Sequence, residues 1–147
     1  MLGQAQPLLL APARRLHELG YRRKWIVGDE LWYERKRQPG VYQIEYIFST
    51  SATSYLFVRR YNKTLRVNSN DERLIHLPRS EDALEWFEQQ QWIDFYSLRT
   101  DADATYEFTF YFHRRAAFKT FHESNERLVA VSAMMAAYEL MMEIISS

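Results

Sequence analysis

From Leu128 to Ile145 the chain reads as one helix that is apolar almost all the way round, a pattern few small folds can accommodate. Leu128, Val131, Met135, Tyr138, Met142 and Ile145 draw one stripe at three- and four-residue spacing. Ala130, Ala133, Met134, Ala137, Met141 and Ile144 draw a second beside it. A single sheet covers one stripe, so the other predicts a further surface, supplied by a second copy of the chain or by another protein. Leu128, Val131, Met134, Met135, Tyr138, Met141, Met142 and Ile145 are therefore the expected interface residues of a homodimer. The competing reading is ordinary core packing, in which methionines fill gaps beneath a sheet. Ser132, Glu139 and Glu143 interrupt the segment and count against a membrane span.

A chain of 147 residues, 47% hydrophobic and 16% aromatic, has the mass for one domain with a real core, expected over 1–147 with residues 1–10 as a flexible tail. Nineteen basic residues balance nineteen acidic ones, so no global field draws the protein toward a polyanion, and any charged site must be local. The lack of cysteine excludes disulfides, thiolate metal sites and thiol nucleophiles. Met1 to Ala13 carries no basic residue before Leu8-Leu9-Leu10, which argues against a signal peptide and leads to the expectation of a soluble, cytoplasmic protein.

Pro12 at a first helical position, Leu16 and Leu19 on one face, and Gly20 as a cap predict a short helix over 11–19. Trp25, Val27, Leu31 and Tyr33, then Tyr42, Ile44, Tyr46 and Phe48, alternate with polar neighbours at the period of strands. Gln38-Pro39-Gly40 predicts a type II turn joining 30–37 and 41–48 into a hairpin. Tyr55, Phe57 and Tyr61 resume the alternation, Asn62-Lys63 reverses the chain into Leu65 and Val67, and Leu74 to Leu77 forms a last short strand. Ser80, Glu81 and Asp82 begin a helix over 80–90. Two extended segments follow, 92–98 and 105–113, the latter with Tyr106, Phe108, Phe110 and Phe112 on one face. The start of the terminal helix is open between a Thr120–Glu123 capping box and Ser124. No repeat, linker or domain boundary is visible. The expected fold class is α+β: a meandering antiparallel sheet with a short N-terminal, a middle and a long C-terminal helix on one face.

Three motifs bear on chemistry. Glu34-Arg35-Lys36 on a predicted strand, with Asp29 before it, imitates the acid-x-lysine element by which metal-dependent nucleases hold a divalent ion and a phosphate. Against it, Asp29 is too close in sequence to come from a separate element, and paired charges on a strand face explain the pattern equally. Asp101 and Asp103 lack the glycine and distal glutamate of a calcium loop and read as a solvated turn. His17, His76, His113 and His122 show no ligand spacing, and each is expected at the surface or half-buried. With no nucleophile elbow either, no metal, cofactor or enzymatic activity is expected.

The strongest signal outside the terminal helix is Tyr55-Leu-Phe-Val-Arg-Arg-Tyr61 with Lys63 and Arg66. There Tyr55, Phe57, Arg59, Tyr61, Lys63 and Arg66 interleave rings and cations, as when bases stack on a sheet and arginines hold phosphates. The plain alternative is a sheet with one aromatic core face and one charged face. Arg22-Arg23-Lys24, Arg35-Lys36-Arg37, Arg59-Arg60 and His113-Arg114-Arg115 all fall near strand ends, either merged into one rim or scattered. The element order resembles the layout of the small dimeric secretion chaperones, which implies an extended protein partner, although no residue motif carries the likeness. The reading that follows is a non-enzymatic protein-binding or adaptor-like homodimer, with nucleic-acid binding through Tyr55 to Arg66 as the rival and a nuclease third.

Overall fold

The computed structural model describes residues 6–101 and 103–146, with side chains from Leu8 onward. The fold is α+β, with three helices and two antiparallel sheets in place of the single expected sheet. The elements are α1 (Gln6–Glu18), β1 (Glu30–Tyr33), β2 (Gly40–Ser49), β3 (Ser54–Arg60), β4 (Lys63–Asn68), β5 (Leu74–Leu77), α2 (Ser80–Glu88), β6 (Ile93–Thr100), β7 (Tyr106–Phe112), β8 (Ala117–Glu123) and α3 (Glu126–Ser146). Although no linker marks a junction, the chain forms two compact units, Gly20–Leu77 and the pair of segments Met1–Leu19 and Pro78–Ser147.

The Gly20–Leu77 unit is a five-stranded sheet in the order β4-β3-β2-β1-β5. Leu31, Tyr33, Tyr42, Ile44, Leu56, Val58, Val67 and Leu74 build its core from one sheet face, joined by half-buried Trp25, Ile47 and Leu65. Two expectations fail here. First, β1 stops at Tyr33, and the residue that turns the chain is Gln38, at φ 53°, whereas Gly40 is already paired with Tyr33 in the ladder. Second, the alternation does not run unbroken through β2. The register steps from Ile44↔Val58 to Tyr46↔Phe57, so Glu45 is the extra residue of a β-bulge. A one-residue slip sends side chains to the opposite face. Tyr42 and Ile44 are buried, while Tyr46 and Phe48 are 56% and 48% exposed.

In the other unit, β6, β7 and β8 form a three-stranded sheet. Phe108, Phe110 and Phe112 all point into the core, as the alternation requires, and Phe87 of α2 sits on them at ring distances of 4.7 Å to Phe108 and 5.4 Å to Phe110. Strand β8 is a correction: Thr120 and Glu123, candidates for a capping box, lie in it, because pairing to the free edge of β7 takes up their backbone groups. The cap of α3 is Asn125, whose Oδ1 accepts the Leu128 amide at 3.0 Å. Helix α2 ends at Glu88, and the Asp82 carboxylate accepts the Arg79 amide at 2.8 Å ahead of it. Helix α1 begins at Gln6 and contains Pro12, so it reaches into the expected tail, of which residues 1–5 lie outside the described residues. Leu9, Ala13 and Leu16 form one buried stripe across the proline, and this burial outweighs the single hydrogen bond that Pro12 cannot donate.

Helix α3 is long and apolar enough to span a membrane by length and composition, and its first half is core. Of the expected interface set, Leu128, Val131 and Met134 are buried within the chain, as are Ala130, Ala133 and Ala137. Cover thins toward the C-terminal end: Met135, Tyr138, Met141 and Met142 are half-buried and Ile145 is exposed. Trp86 of α2 stacks on Tyr138 at 5.9 Å, and Arg15 of α1 pairs with Glu139 at 3.5 Å. This contrast is measurable by chemical denaturation. Met134→Ala opens a cavity in the core and is expected to cost about 2–5 kcal/mol, against less than about 1 kcal/mol for Met142→Ala.

Candidate nucleic-acid interface

The bulge in β2 assembles a face that no single strand contains. Phe48 lies opposite Tyr55, Tyr46 opposite Phe57, and Phe57 in turn opposite Arg66, so four aromatic rings and an arginine occupy adjacent positions across three strands. Tyr46 and Phe57 pack ring to ring at 5.7 Å, and the Arg66 guanidinium lies 5.1 Å from the Tyr55 ring centroid. Arg59 shares the face, donating to the Glu45 carboxylate at 2.9 Å and to the Tyr61 carbonyl at 2.7 Å. Tyr55 and Phe57 are half-exposed, and Arg59 and Arg66 are exposed.

Tyr55, Phe57, Arg59 and Arg66 thus come together on one face, as the sequence suggested. Tyr61 and Lys63 do not join them: Tyr61 sits in the two-residue connection between β3 and β4, and Lys63 pairs with Arg60, whose register places both on the other face. Sequence reading missed Tyr46 and Phe48 as members of the site. The polar loop at 49–54, which folds 41–48 back on 55–61, was the available signal, but an alternation read as unbroken grouped the two rings with Tyr42 and Ile44.

Local charge supports the same region. Gly20–Leu77 holds eleven Lys and Arg against six Asp and Glu, net +5, leaving eight against thirteen, net −5, in the remaining segments. Three of the four basic clusters belong to the positive unit, and His113-Arg114-Arg115 belongs to the other. The zero net charge of the whole chain hid this division.

The other candidate residues are engaged differently. Glu34 and Lys36 lie in the connection after β1, not on a strand, and the Asp29 carboxylate accepts from Arg23 at 2.7 Å and from the Ile26 amide at 2.8 Å. His76, expected near the surface, is buried, with its Nε2 2.8 Å from the same Arg23 nitrogen. Asp101 and Asp103 are exposed, as a solvated turn requires. Asp101, Glu107 and His122 lie close together, but Arg99 already holds Glu107 at 2.7 Å. His113 contacts Asp94 at 3.2 Å, and His17 is half-buried.

A second polar cluster fastens the segment between β4 and β5. Arg73 grips Asp71 through two nitrogens, at 2.7 and 3.0 Å, while Tyr33 donates to Asp71 at 3.3 Å and its ring lies 5.4 Å below the guanidinium. The Arg73 hydrogen bonds hold the Asp71 carboxyl below its ordinary range. Burial, and then the Asp71 charge, push the Tyr33 phenol up, and the bond to Asp71 raises Arg73 in turn. This is a structural clamp with a bidentate geometry.

No protein-family model, curated protein or solved structure matches the chain.

The clamp has a pH signature. A carboxyl whose pKa is lower in the folded state contributes stability above its unfolded pKa, near 4, and loses it as the pH falls through the folded value. Asp71→Asn is therefore expected to lower stability at neutral pH and to flatten its fall below about pH 4, as measured by urea denaturation across that range.

Proposed function

We propose that the Gly20–Leu77 unit binds single-stranded nucleic acid across the outward face of β2, β3 and β4. The observation that carries this reading is the bulge at Glu45, which turns Tyr46 and Phe48 to solvent beside Tyr55, Phe57, Arg59 and Arg66. Neighbouring exposed rings form an aromatic patch of the kind that marks a binding surface, and a base offers a flat face to each. Cations at the margins suit phosphates, and the excess positive charge of this unit favours a polyanion over a neutral peptide. Stacking on rings recruits every base alike, so the expected binding is tolerant of sequence.

Fluorescence anisotropy with labelled single-stranded oligonucleotides tests the proposal. The wild type is expected to bind at micromolar protein, with log K falling against log salt at a slope of about −0.7, set by Arg66 because Arg59 is already paired with Glu45. Phe48→Ala and Tyr46→Ala should each weaken binding by roughly five- to a hundredfold while leaving thermal stability nearly unchanged, since both side chains are exposed. No binding at low salt, or binding insensitive to both variants, overturns the reading.

A second reading concerns the end of α3. Met135, Tyr138, Met141, Met142 and Ile145 keep apolar surface in water after the first half of the helix has been buried, and we propose that they pair two copies of the chain, on which a protein partner would then dock. Light scattering should report a dimer that Met135→Glu with Met142→Glu converts to a folded monomer. A wild type that is monomeric at tens of micromolar refutes it.

A further inference from the structure

Where the connection preceding β2 meets the Tyr61–Asn62 link between β3 and β4, a cavity of about 420 Å³ opens, lined by Gln38, Tyr42, Arg60, Tyr61 and Lys63 among others. Its lining carries two cations and no carboxylate. Arg60 and Lys63 are direct cross-strand partners, an arrangement of like charges that destabilises a hairpin unless an anion lies between them. Among the described residues no carboxylate pairs with either charge: Arg60 donates through Nη1 to the Pro39 carbonyl at 2.8 Å, and Lys63 donates to the Gln38 amide oxygen at 3.3 Å.

Several contacts hold Arg60 in place. Its guanidinium lies 5.9 Å from the Tyr42 ring centroid and 5.3 Å from that of Tyr61, and it fills the space that Gly40 leaves open, where a Cβ would overlap Nη1. Two of the four described non-glycine residues with positive φ line this one cavity: Gln38 at 53° and Tyr61 at 57°. A tyrosine at such a backbone position is strained, and glycine or asparagine would suit the turn better. Yet Tyr61 is kept there with its side chain 82% exposed at the mouth. Strain of this kind gathers where a side chain is presented to a ligand.

We propose that this cavity holds a nucleotide by its terminal phosphate monoester. The ester is a dianion at neutral pH and matches the charges of Arg60 and Lys63, while the Tyr61 ring stacks on the base. This deepens the single-strand reading and rests on it for one source of the ligand, a phosphorylated strand end; the other source with the same chemistry is a free mononucleotide.

Three probes are titrated against the full chain: a 5′-phosphorylated oligonucleotide, the same oligonucleotide with a 5′-hydroxyl, and free adenosine monophosphate. Each is measured with the wild type, Tyr61→Gly, Lys63→Gln and Gly40→Ala, the last displacing Arg60 without removing its charge. If strand ends are the ligand, the phosphorylated oligonucleotide binds about tenfold tighter than its hydroxyl counterpart, and all three variants abolish the difference. If free nucleotides are the ligand, the monophosphate binds with the same sensitivity to the variants and the oligonucleotides show no preference. In either case Tyr61→Gly is expected to raise Tm by about 2–4 °C as it weakens binding, a combination that a purely structural tyrosine would not produce. Equal affinity for the two oligonucleotides, together with no binding of the monophosphate, overturns the proposal. Failure of the sheet-face reading looks different, because there Phe48→Ala leaves the affinity of the hydroxyl oligonucleotide unchanged.

Discussion

One extra residue, Glu45, decides how the Gly20–Leu77 unit meets solvent. With regular pairing, Tyr42, Ile44, Tyr46 and Phe48 would all face the core, and the sheet would show water an ordinary polar face. The bulge instead keeps Tyr42 and Ile44 inside, hands the next core position to half-buried Ile47, and sends Tyr46 and Phe48 outward. Glu45 then anchors Arg59 at the margin of the face it created. The aromatic surface, its arginine border and the hairpin-end cavity all belong to strands whose register this bulge sets.

Polar groups hold the loops of this unit in the way rings hold its sheet. Arg23 bridges the buried Asp29 and His76, and Arg73 clamps Asp71 beneath Tyr33, so arginines close the segments that lack ladder hydrogen bonds. Arginine suits these places because its planar fork makes several bonds from one orientation. Among the described residues, Arg60 and Arg66 lie over aromatic rings and Lys63 donates to the Gln38 amide oxygen, and none of the three pairs with a carboxylate.

Much of the fold was legible because burial imposes periodicity. The Phe108, Phe110 and Phe112 face, the hairpin of β1 with β2, the middle helix and the apolar terminal helix were all readable from spacing alone. What spacing missed were places where one interaction overrides it. Strand β8 has no fully buried residue and pairs with the edge that β7 offers. Helix α1 runs through Pro12 because Leu9 and Leu16 are both buried. Gln38 takes the left-handed conformation expected of the neighbouring Gly40, because Gly40 is already paired with Tyr33 in the ladder. In the candidate site, Tyr55, Phe57, Arg59 and Arg66 were visible as one alternating run, whereas Tyr46 and Phe48 belong to it through a register step that leaves no mark in composition.

The sequence by itself determined the α+β class, the order of most elements and the supply of rings and cations in one stretch, since these follow from local periods and residue chemistry. Only tertiary structure decided which rings face water, which half of α3 is covered and which cations go without a carboxylate. Those outcomes depend on strand register and on neighbours distant in the chain, and a period of two or of 3.6 residues carries no information about either.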